Sequence, residues 1–226
     1  MSYLTKIKNL LTLFAFLLPL MFSSCKSTTE QKEKKDNGKN NIIQQNDDIQ
    51  EQTVPETELS AGESDPAKEQ SLRNAALEGD HSMVERLISS NTDINSSGPD
   101  GRTALMLASF NGHSRIMLSL IKASAGISLK DEFGRTALMY ASTGSFPEAV
   151  KLLLEHGADP NVVDDVDQFT PLMFAAAEGH MEVVNILLSN GADPSLKDKD
   201  GDTAESFARA NGHSEIADLL SSVNES

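Results

Sequence analysis

The sequence contains very little cysteine, no tryptophan and few other aromatic residues, and each shortage excludes a class of structure. Its 226 residues include 1 Cys, which excludes an intrachain disulfide framework and a zinc site built from clustered cysteines. Aromatic residues make up 5% of the chain, whereas its hydrophobic fraction of 38% suits a soluble globular protein. This composition favours many small helices over one large aromatic core.

Basic residues are also scarce relative to acidic ones. The chain has 19 Lys and Arg against 34 Asp and Glu, a formal net charge of -15. A nucleic-acid groove must neutralise phosphates, so we do not expect nucleic acid as a partner. The acidic surface instead favours a basic protein partner, because opposite charges steer the encounter between two proteins.

The chain lacks the motifs that carry catalysis or metal binding. It contains no Gly-x-Ser-x-Gly elbow, no phosphate-binding loop and no dinucleotide fingerprint. His81 and His156 have no Cys or His at ligand spacing, and Asp164, Asp165 and Asp167 lack the spacing of a calcium loop. We therefore predict no catalytic residue, no metal site and no cofactor.

The first 24 residues have the order of a secretory signal. Lys6 and Lys8 precede an apolar run at residues 10–22, and Ser23 and Ser24 follow it. The run of about 13 residues spans roughly 20 Å as a helix, which is shorter than the hydrocarbon core of about 30 Å. We interpret residues 1–24 as a signal peptide and not as a membrane anchor.

Residues 20–25, with the letters LMFSSC, resemble the lipobox of bacterial lipoproteins, in which the cysteine becomes the lipid-modified N-terminus. The usual pattern has other residues at the positions of Phe22 and Ser24, and relaxed boxes of this kind are similar to those of spirochaetes. The resemblance implies that Cys25 is lipidated and anchors the protein to the inner or outer membrane of the cell envelope, facing the periplasm or the cell surface. The alternative is an ordinary secretory signal followed by an incidental cysteine.

Residues 25–67 are predicted to be the lipidated cysteine followed by a disordered linker. After Cys25 the composition shifts to Lys, Glu, Gln, Asn, Asp, Ser and Thr, without hydrophobic periodicity. About 40 residues of coil have a reach of roughly 35 Å. Such a linker would hold a folded domain clear of the bilayer surface.

The remaining sequence repeats itself with a period near 33 residues. Four segments begin in the same way, with threonines that lie 33, 34 and 33 positions apart: Thr103, Thr136, Thr170 and Thr203. Each threonine is a candidate helix N-cap, and Pro171 suits the first position of the helix that follows. Gly112, Gly179 and Gly212 are candidate helix stops, and each is followed by His and a second apolar stripe. A period of this length predicts stacked helical pairs.

These units resemble ankyrin repeats, with Thr-Ala-Leu or Thr-Pro-Leu, Gly-His, Leu-Leu and Gly-Ala-Asp in the family's order. The resemblance implies an all-α solenoid of about five helix-turn-helix repeats with β-hairpin-like loops, preceded by a disordered tether. We predict an ankyrin-repeat domain at residues 68–226, with repeats at about 68–97, 98–130, 131–164, 165–197 and 198–226. Terminal repeats of such arrays are atypical, as the polar Glu205 and Ser206 of the last unit illustrate.

Three departures from the family pattern lead to local predictions. Methionine replaces the motif histidine, and we expect Met106, Met139 and Met173 to fill gaps in the core. The third repeat has Gly144-Ser145-Phe146-Pro147 where Gly-His is expected, which predicts an altered turn with Pro147 opening the second helix. The extra residue of the 34-residue interval is expected in a loop at residues 162–167. We expect the three Gly-His histidines to be structural turn residues: His113, His180 and His213.

The family resemblance implies that a partner protein binds the concave face, through the hairpin tips and the ends of the first helices. On this basis the candidate partner-binding residues are Phe110, Asn111, Phe133, Arg135, Phe169, Glu178, Lys199 and Asp202. We expect Phe133 and Phe169 to occupy equivalent fingertip positions and to anchor the partner. The alternative is that Phe169 packs back onto its own helix as a hydrophobic staple.

The sequence therefore predicts a monomeric protein-interaction module that is attached to the bacterial envelope through Cys25 and has no enzymatic activity. One alternative is a structural envelope lipoprotein that acts by self-association. Another is an inhibitor or protector of an envelope toxin or enzyme. Repeat count and composition do not specify which partner is bound.

Overall fold

The computed structural model describes residues 65–224, all of which lie in one compact unit that spans Leu59–Ser226. The predicted signal peptide, Cys25 and all but the last residues of the predicted linker lie outside the described residues. None of the helices within residues 65–224 is long and apolar enough to cross a membrane.

The described residues form ten helices arranged as five consecutive pairs, without a β-strand, so the predicted all-helical repeat fold is confirmed. In chain order the helices are α1 Pro66–Glu78, α2 His81–Ser89, α3 Ala104–Phe110, α4 Ser114–Lys122, α5 Ala137–Ser142, α6 Pro147–Glu155, α7 Pro171–Glu178, α8 Met181–Ser189, α9 Ala204–Ala210 and α10 Ser214–Asn224. The odd-numbered helices pack side by side in one layer, and the even-numbered helices α2 to α8 pack in a second layer behind them.

The first helix of each of the last four pairs begins at the predicted threonine. Each threonine has an extended backbone, and its hydroxyl accepts the backbone N–H three residues later: Thr103 from Met106 at 3.4 Å, Thr136 from Met139 at 3.5 Å, Thr170 from Met173 at 3.2 Å and Thr203 from Ser206 at 3.3 Å. Such a cap stabilises a helix by about 1 kcal/mol, because it satisfies a backbone donor that has no partner within the helix. The predicted N-caps are confirmed.

The turn between paired helices lets one repeat approach the next closely. Gly79 has a φ of 83°, and a Cβ atom on it would lie 2.9 Å from the ring of His113 in the following repeat. The His113 ring Nε2 lies 3.2 Å from the Leu77 carbonyl oxygen. A carbonyl can only accept, so Nε2 carries the hydrogen and the ring donates.

The other two motif histidines repeat this contact. The ring Nε2 of His180 lies 3.1 Å from the Thr143 oxygen, and that of His213 lies 3.1 Å from the Ala177 oxygen. Each ring thereby satisfies a carbonyl near the end of the preceding first helix, which has no partner within that helix. The prediction that these histidines are structural turn residues is confirmed.

The third repeat has a different residue at this contact. Phe146 occupies the place of the motif histidine, and a Cβ atom on Gly112 would lie 2.3 Å from its ring. Phe146 is the N-cap residue of α6 without a side-chain cap, and Pro147 is the first helical residue, as predicted. The ring therefore keeps the packing role of histidine but contributes no hydrogen bond, since it has no ring nitrogen.

The core lies between the two helix layers and repeats from unit to unit. Met106, Met139 and Met173 are each at most 2% exposed, which confirms that they fill the core. A leucine from each second helix forms a buried row along the array, with members Leu87, Leu120, Leu153, Leu187 and Leu220. Full burial of one such side chain stabilises the fold by about 1.5–3 kcal/mol. Because the buried row runs from repeat to repeat, contacts between neighbouring repeats hold the array together.

Candidate functional site

Four hairpin loops project from the first-helix layer and form the predicted fingertips. We call residues 98–102 finger 1, 131–135 finger 2, 164–169 finger 3 and 198–202 finger 4. Backbone hydrogen bonds join consecutive fingers, from Glu132 N to Asp100 O at 3.3 Å and from Asp165 N to Phe133 O at 2.9 Å. A third such bond runs from Lys199 N to Asp167 O at 3.0 Å. The fingers therefore form one connected surface.

Fingers 2, 3 and 4 each begin with a buried aspartate that organises the loop. Asp131 Oδ1 accepts the backbone N–H groups of Phe133 at 2.9 Å and Arg135 at 2.8 Å. Asp164 and Asp198 accept backbone N–H groups of their own fingers in the same way. These carboxylates therefore shape the loops internally and are not available to a partner or a cation.

The second oxygen of Asp131 is satisfied by a tyrosine from the following helix. The Tyr140 hydroxyl donates to Asp131 Oδ2 at 2.6 Å, and both residues are buried. Burial, together with the hydrogen bond to a charged carboxylate, raises the pKa of the Tyr140 hydroxyl above its ordinary value. The phenol therefore stays protonated and holds finger 2 against α5.

The corresponding oxygen in finger 3 has no such donor. Phe174 occupies the position of Tyr140 one repeat later, and its ring has no hydroxyl. Asp164 is 1% exposed, and its Oδ2 atom has no hydrogen-bond partner within residues 65–224. The Nε atom of Arg135 lies 3.8 Å away and is likewise without a hydrogen bond there. The two groups neutralise each other only as a loose ion pair.

Arg135, one of the candidate partner-binding residues, has a buried side chain. Arg135 is 8% exposed. The central carbon of its guanidinium lies 5.4 Å from the centre of the Phe133 ring and 5.7 Å from that of Phe174. A guanidinium on an aromatic face is attracted by the ring quadrupole. Arg135 therefore links finger 2 to the core, with its guanidinium packed between the rings of Phe133 and Phe174.

Phe169 is also buried, so the prediction of an exposed anchor at this position is wrong. Its ring is 6% exposed and packs edge-on against Phe174 at 5.6 Å and Phe207 at 4.9 Å, measured between ring centres. Phe174 belongs to the helix that Phe169 precedes, as the alternative of packing onto its own helix expected. The ring therefore contributes to stability and not to partner contact.

Each finger contains one residue with a left-handed backbone, that is, with a positive φ. The two phenylalanines are not equivalent, because Phe133 precedes this residue in sequence and Phe169 follows it. Phe133 precedes Gly134, which has a φ of 77°, whereas Phe169 follows Gln168, which has a φ of 61°. The residue after the left-handed position directly precedes the N-cap threonine and points inward, as Arg135 also does. Phe133 lies at the tip and is half-buried.

The remaining candidates divide into structural and accessible residues. Asn111 is structural, because its side-chain Nδ2 donates to the Leu77 carbonyl of the preceding repeat at 2.7 Å. Phe110 is half-buried and packs edge-on against Tyr140, with ring centres 6.2 Å apart. Glu178 and Asp202 are half-buried and Lys199 is exposed. Phe110 and Phe133 are thus the aromatic candidates that reach the surface.

Two basic side chains of the fingers, Arg102 and Lys199, form ion pairs with finger carboxylates. Lys199 Nζ lies 2.5 Å from Asp167 Oδ1, and Arg102 pairs with Asp100 through its Nε at 2.6 Å. Burial raises the pKa of the Asp100 carboxyl, but the hydrogen bonds and positive charge of Arg102 outweigh it and lower that pKa overall. Arg102 and Lys199 are therefore each paired with a carboxylate of the finger surface, although Lys199 remains exposed.

An exposed apolar side chain at the tip of finger 3 escaped the sequence reasoning. Val166 is 47% exposed, one of the highest values for a large hydrophobic residue within residues 65–224. It lies in the loop lengthened by the extra residue, and Asp164 Oδ1 accepts its N–H at 3.3 Å. The 34-residue interval was the available signal, since insertions at loop tips displace side chains toward solvent.

Residues 65–224 hold no group of three or more His, Cys, Asp or Glu side chains that could bind a metal ion.

No curated protein matches the chain. A family model described as ankyrin repeats, in 3 copies, matches residues 72–164 and 159–225. The two matches together cover more than half of the chain and include all the fingers and nine complete helices. The chain therefore belongs to the ankyrin-repeat family.

Proposed function

We propose that this protein is a protein-interaction module tethered to the bacterial cell envelope by lipid on Cys25, with no enzymatic activity of its own. Ankyrin repeats are protein-interaction modules, and the family membership supports this general role. The finger surface and the ends of the first helices form the binding face. The partner is a protein of the periplasm or cell surface.

The observation that carries the proposal is the contrast between buried and exposed residues in the finger region. Every finger is hydrogen-bonded to a neighbouring finger, so the surface is preorganised and loses little entropy on binding. Phe110 and Phe133 nevertheless keep part of their rings in solvent. Exposed aromatic residues on a rigid face are typical of the energetically dominant residues of protein interfaces.

Capture from the native envelope tests the binding function. The protein, solubilised in mild detergent with a C-terminal tag, is crosslinked in cells and purified, and bound proteins are identified by mass spectrometry. A specific partner that is retained by the parent and lost by Phe133→Ala supports the proposal. Recovery of no specific partner contradicts it. Recovery of the same specific partner with both variants would contradict the role of Phe133 in the binding face.

The tether is tested separately, because it is an independent part of the proposal. Replacement Cys25→Ser should abolish incorporation of radiolabelled fatty acid and release the protein from the detergent phase after phase separation. Ser24→Ala, which alters the same segment without removing the thiol, is the matched control and should leave both properties intact. Unchanged membrane retention of Cys25→Ser would show that the anchor lies elsewhere.

A further inference from the structure

Half-buried apolar side chains occur on the first helices of the first two repeats and at the tip of finger 2. We call this set the inner groove and define it by Leu77, Leu107, Phe110 and Phe133. Leu77 and Phe110 occupy the same repeat position, 33 residues apart, near the ends of α1 and α3. Leu107 lies one helical turn before Phe110, and residues three apart share a helix face. The groove therefore offers apolar contact on a rigid support.

Two carboxylates are adjacent in sequence to groove residues, Glu78 beside Leu77 and Glu132 beside Phe133, and Glu178 occupies the position of Glu78 in the fourth repeat. Glu78 and Glu132 are exposed, and Glu178 is half-buried. Within residues 65–224, none of these three carboxylates takes part in an ion pair. They differ in this respect from Asp100, Asp165 and Asp167, which pair with Arg102, Lys130 and Lys199. Their negative charge is thus presented outward.

No cation of the fingers offsets that charge. The fingers contain three basic residues within the described range, of which Arg135 is buried and Arg102 and Lys199 are paired with carboxylates. Residues 65–224 as a whole contain 12 Lys and Arg against 24 Asp and Glu. A ligand with positive charge is therefore attracted both locally and by the field of the domain.

We infer that the inner groove takes a cationic amphipathic segment of a partner protein, an inference that rests on the proposed binding function. An apolar side chain of the segment packs between Phe110 and Phe133. Lysine or arginine residues on either side of it meet Glu78, Glu132 and Glu178. Apolar contact supplies the affinity, and the charges supply orientation and a fast encounter.

Other occupants fit the observed charges less well. A second copy of the chain would bring two acidic faces together, and like charges at an interface oppose association. An anionic lipid surface would be repelled for the same reason. A neutral apolar segment would leave the carboxylates desolvated without partners, which is costly.

The test uses three synthetic peptides of about 15 residues, a length at which helices become marginally stable. One is amphipathic and built of Lys and Leu, the second is its Glu and Leu counterpart, and the third has the Lys and Leu composition in an order without an apolar face. Binding to the chain from residue 25 onward with Cys25→Ser, which carries no lipid, is measured by fluorescence anisotropy. Only the first peptide should bind well, and binding should weaken as salt rises.

Variants of the protein then separate the groove from general electrostatic attraction. Phe133→Ala should reduce affinity about five- to tenfold, as expected for an aromatic residue at the centre of an interface. Glu132→Gln with Glu178→Gln should reduce it roughly two- to tenfold. The matched control is Glu155→Gln with Glu182→Gln, which removes the same charge from exposed positions on α6 and α8 and should leave affinity unchanged. Melting curves of all variants confirm that each remains folded.

Several outcomes would overturn the inference. Equal binding of the Lys and Glu peptides, or an equal loss in the control pair and the groove pair, would remove the role of the groove carboxylates. A dimer in light scattering that Phe133→Ala dissociates would place a second copy in the groove. If a native partner is captured while the Lys and Leu peptide fails to bind, the partner chemistry is wrong and the binding function stands. Failure of both experiments would reject the proposed function itself.

Discussion

Fingers 2 and 3 have a similar arrangement of residues, yet the phenylalanine of finger 2 is partly exposed and that of finger 3 is buried. Both begin with a buried aspartate, and both pass through a left-handed residue before the N-cap threonine. In finger 2 the aromatic residue precedes the left-handed position and stays half-exposed, whereas in finger 3 it follows that position and is buried. Whether a phenylalanine precedes or follows the residue with positive φ therefore decides whether its ring reaches solvent or is buried in the core.

The two fingers also differ in how their aspartates are satisfied. Asp131 receives the Tyr140 hydroxyl, but Asp164 faces a repeat in which Phe174 has replaced tyrosine. Finger 3 therefore loses one hydrogen bond and gains an aromatic cluster around Phe169. Variants of the two fingers test each part of this comparison.

Removal of the buried ring should have the largest effect. Phe169→Ala is expected to lower the free energy of unfolding by about 3–5 kcal/mol, because it leaves a cavity beside Phe174 and Phe207. Phe133→Ala should lower it by only about 0.5–1 kcal/mol, since that ring is partly in solvent and contributes chiefly its contact with Arg135. Urea denaturation of both variants measures the difference. Similar losses would show that burial does not distinguish the two rings.

Addition of a methyl group at the left-handed position of finger 2 should have the next largest effect. A Cβ atom on Gly134 would lie 2.3 Å from the side chain of Asp165, and the positive φ adds strain. Gly134→Ala should therefore cost about 2–4 kcal/mol in unfolding free energy, as strain and overpacking combine. Gly201→Ala in finger 4 is the control, because its Cβ would meet nothing within 4 Å. Equal losses in thermal denaturation would contradict the close approach of fingers 2 and 3.

Loss of the tyrosine hydroxyl should destabilise finger 2 moderately. Tyr140→Phe leaves Asp131 Oδ2 buried without its donor, at an expected cost of about 1–3 kcal/mol. The folded-state pKa of Tyr140 is raised, so its contribution is complete below the ordinary value of 10.0 and is lost as pH rises above it. Denaturation as a function of pH should therefore show a smaller alkaline loss of stability in the variant. An identical alkaline profile would exclude Tyr140 as its source.

The reverse exchange in finger 3 should raise stability. Phe174→Tyr is expected to place a hydroxyl near Asp164 Oδ2 and to add about 1 kcal/mol, the net value of one hydrogen bond. Combining it with Asp164→Asn should remove much of this gain, because the added hydroxyl would then bond to a neutral amide oxygen instead of a carboxylate. Thermal denaturation of the single and double variants measures the coupling. A destabilised single variant would show that α7 has no room for the hydroxyl.

The smallest effect is expected at the left-handed residue of finger 3. Gln168 has a φ of 61°, which costs a residue with a side chain more than it costs glycine. Gln168→Gly relieves backbone strain in the folded state but adds entropy to the unfolded chain. We therefore expect a gain in unfolding free energy of no more than about 1 kcal/mol, in which strain relief exceeds the entropy cost. Gln168→Ala, which keeps the Cβ atom, should show no gain. A clear loss with glycine would indicate that the Gln168 side chain has a structural role.

Much of the fold followed from local features that recur along the chain. The N-cap threonines, the turn glycines and the methionines of the first helices lie where their spacing predicted them. Local features are reliable here because each repeat contacts mainly its neighbours, so the same residue has the same environment in every unit. The structural role of the three turn histidines follows for the same reason.

The binding face was predicted less well, because its exposure depends on several repeats at once. Phe169 is buried by Phe207, which comes from the following repeat. Arg135 is held between its own finger and Phe174, which lies in a helix of the following repeat. Asn111 gained a partner in the repeat before it. None of these contacts can be deduced from the segment in which the residue lies.

The sequence by itself determined the architecture of this protein, because period, caps and turn residues are short-range properties of the chain. It also determined the acidic character that favours a cationic partner. Only the tertiary structure decided which fingertip side chains remain in solvent, since burial depends on neighbouring repeats and on the direction in which each backbone points. Burial removed Arg135 and Phe169 from the candidate surface, and Phe110 and Phe133 remain as the half-buried aromatic candidates.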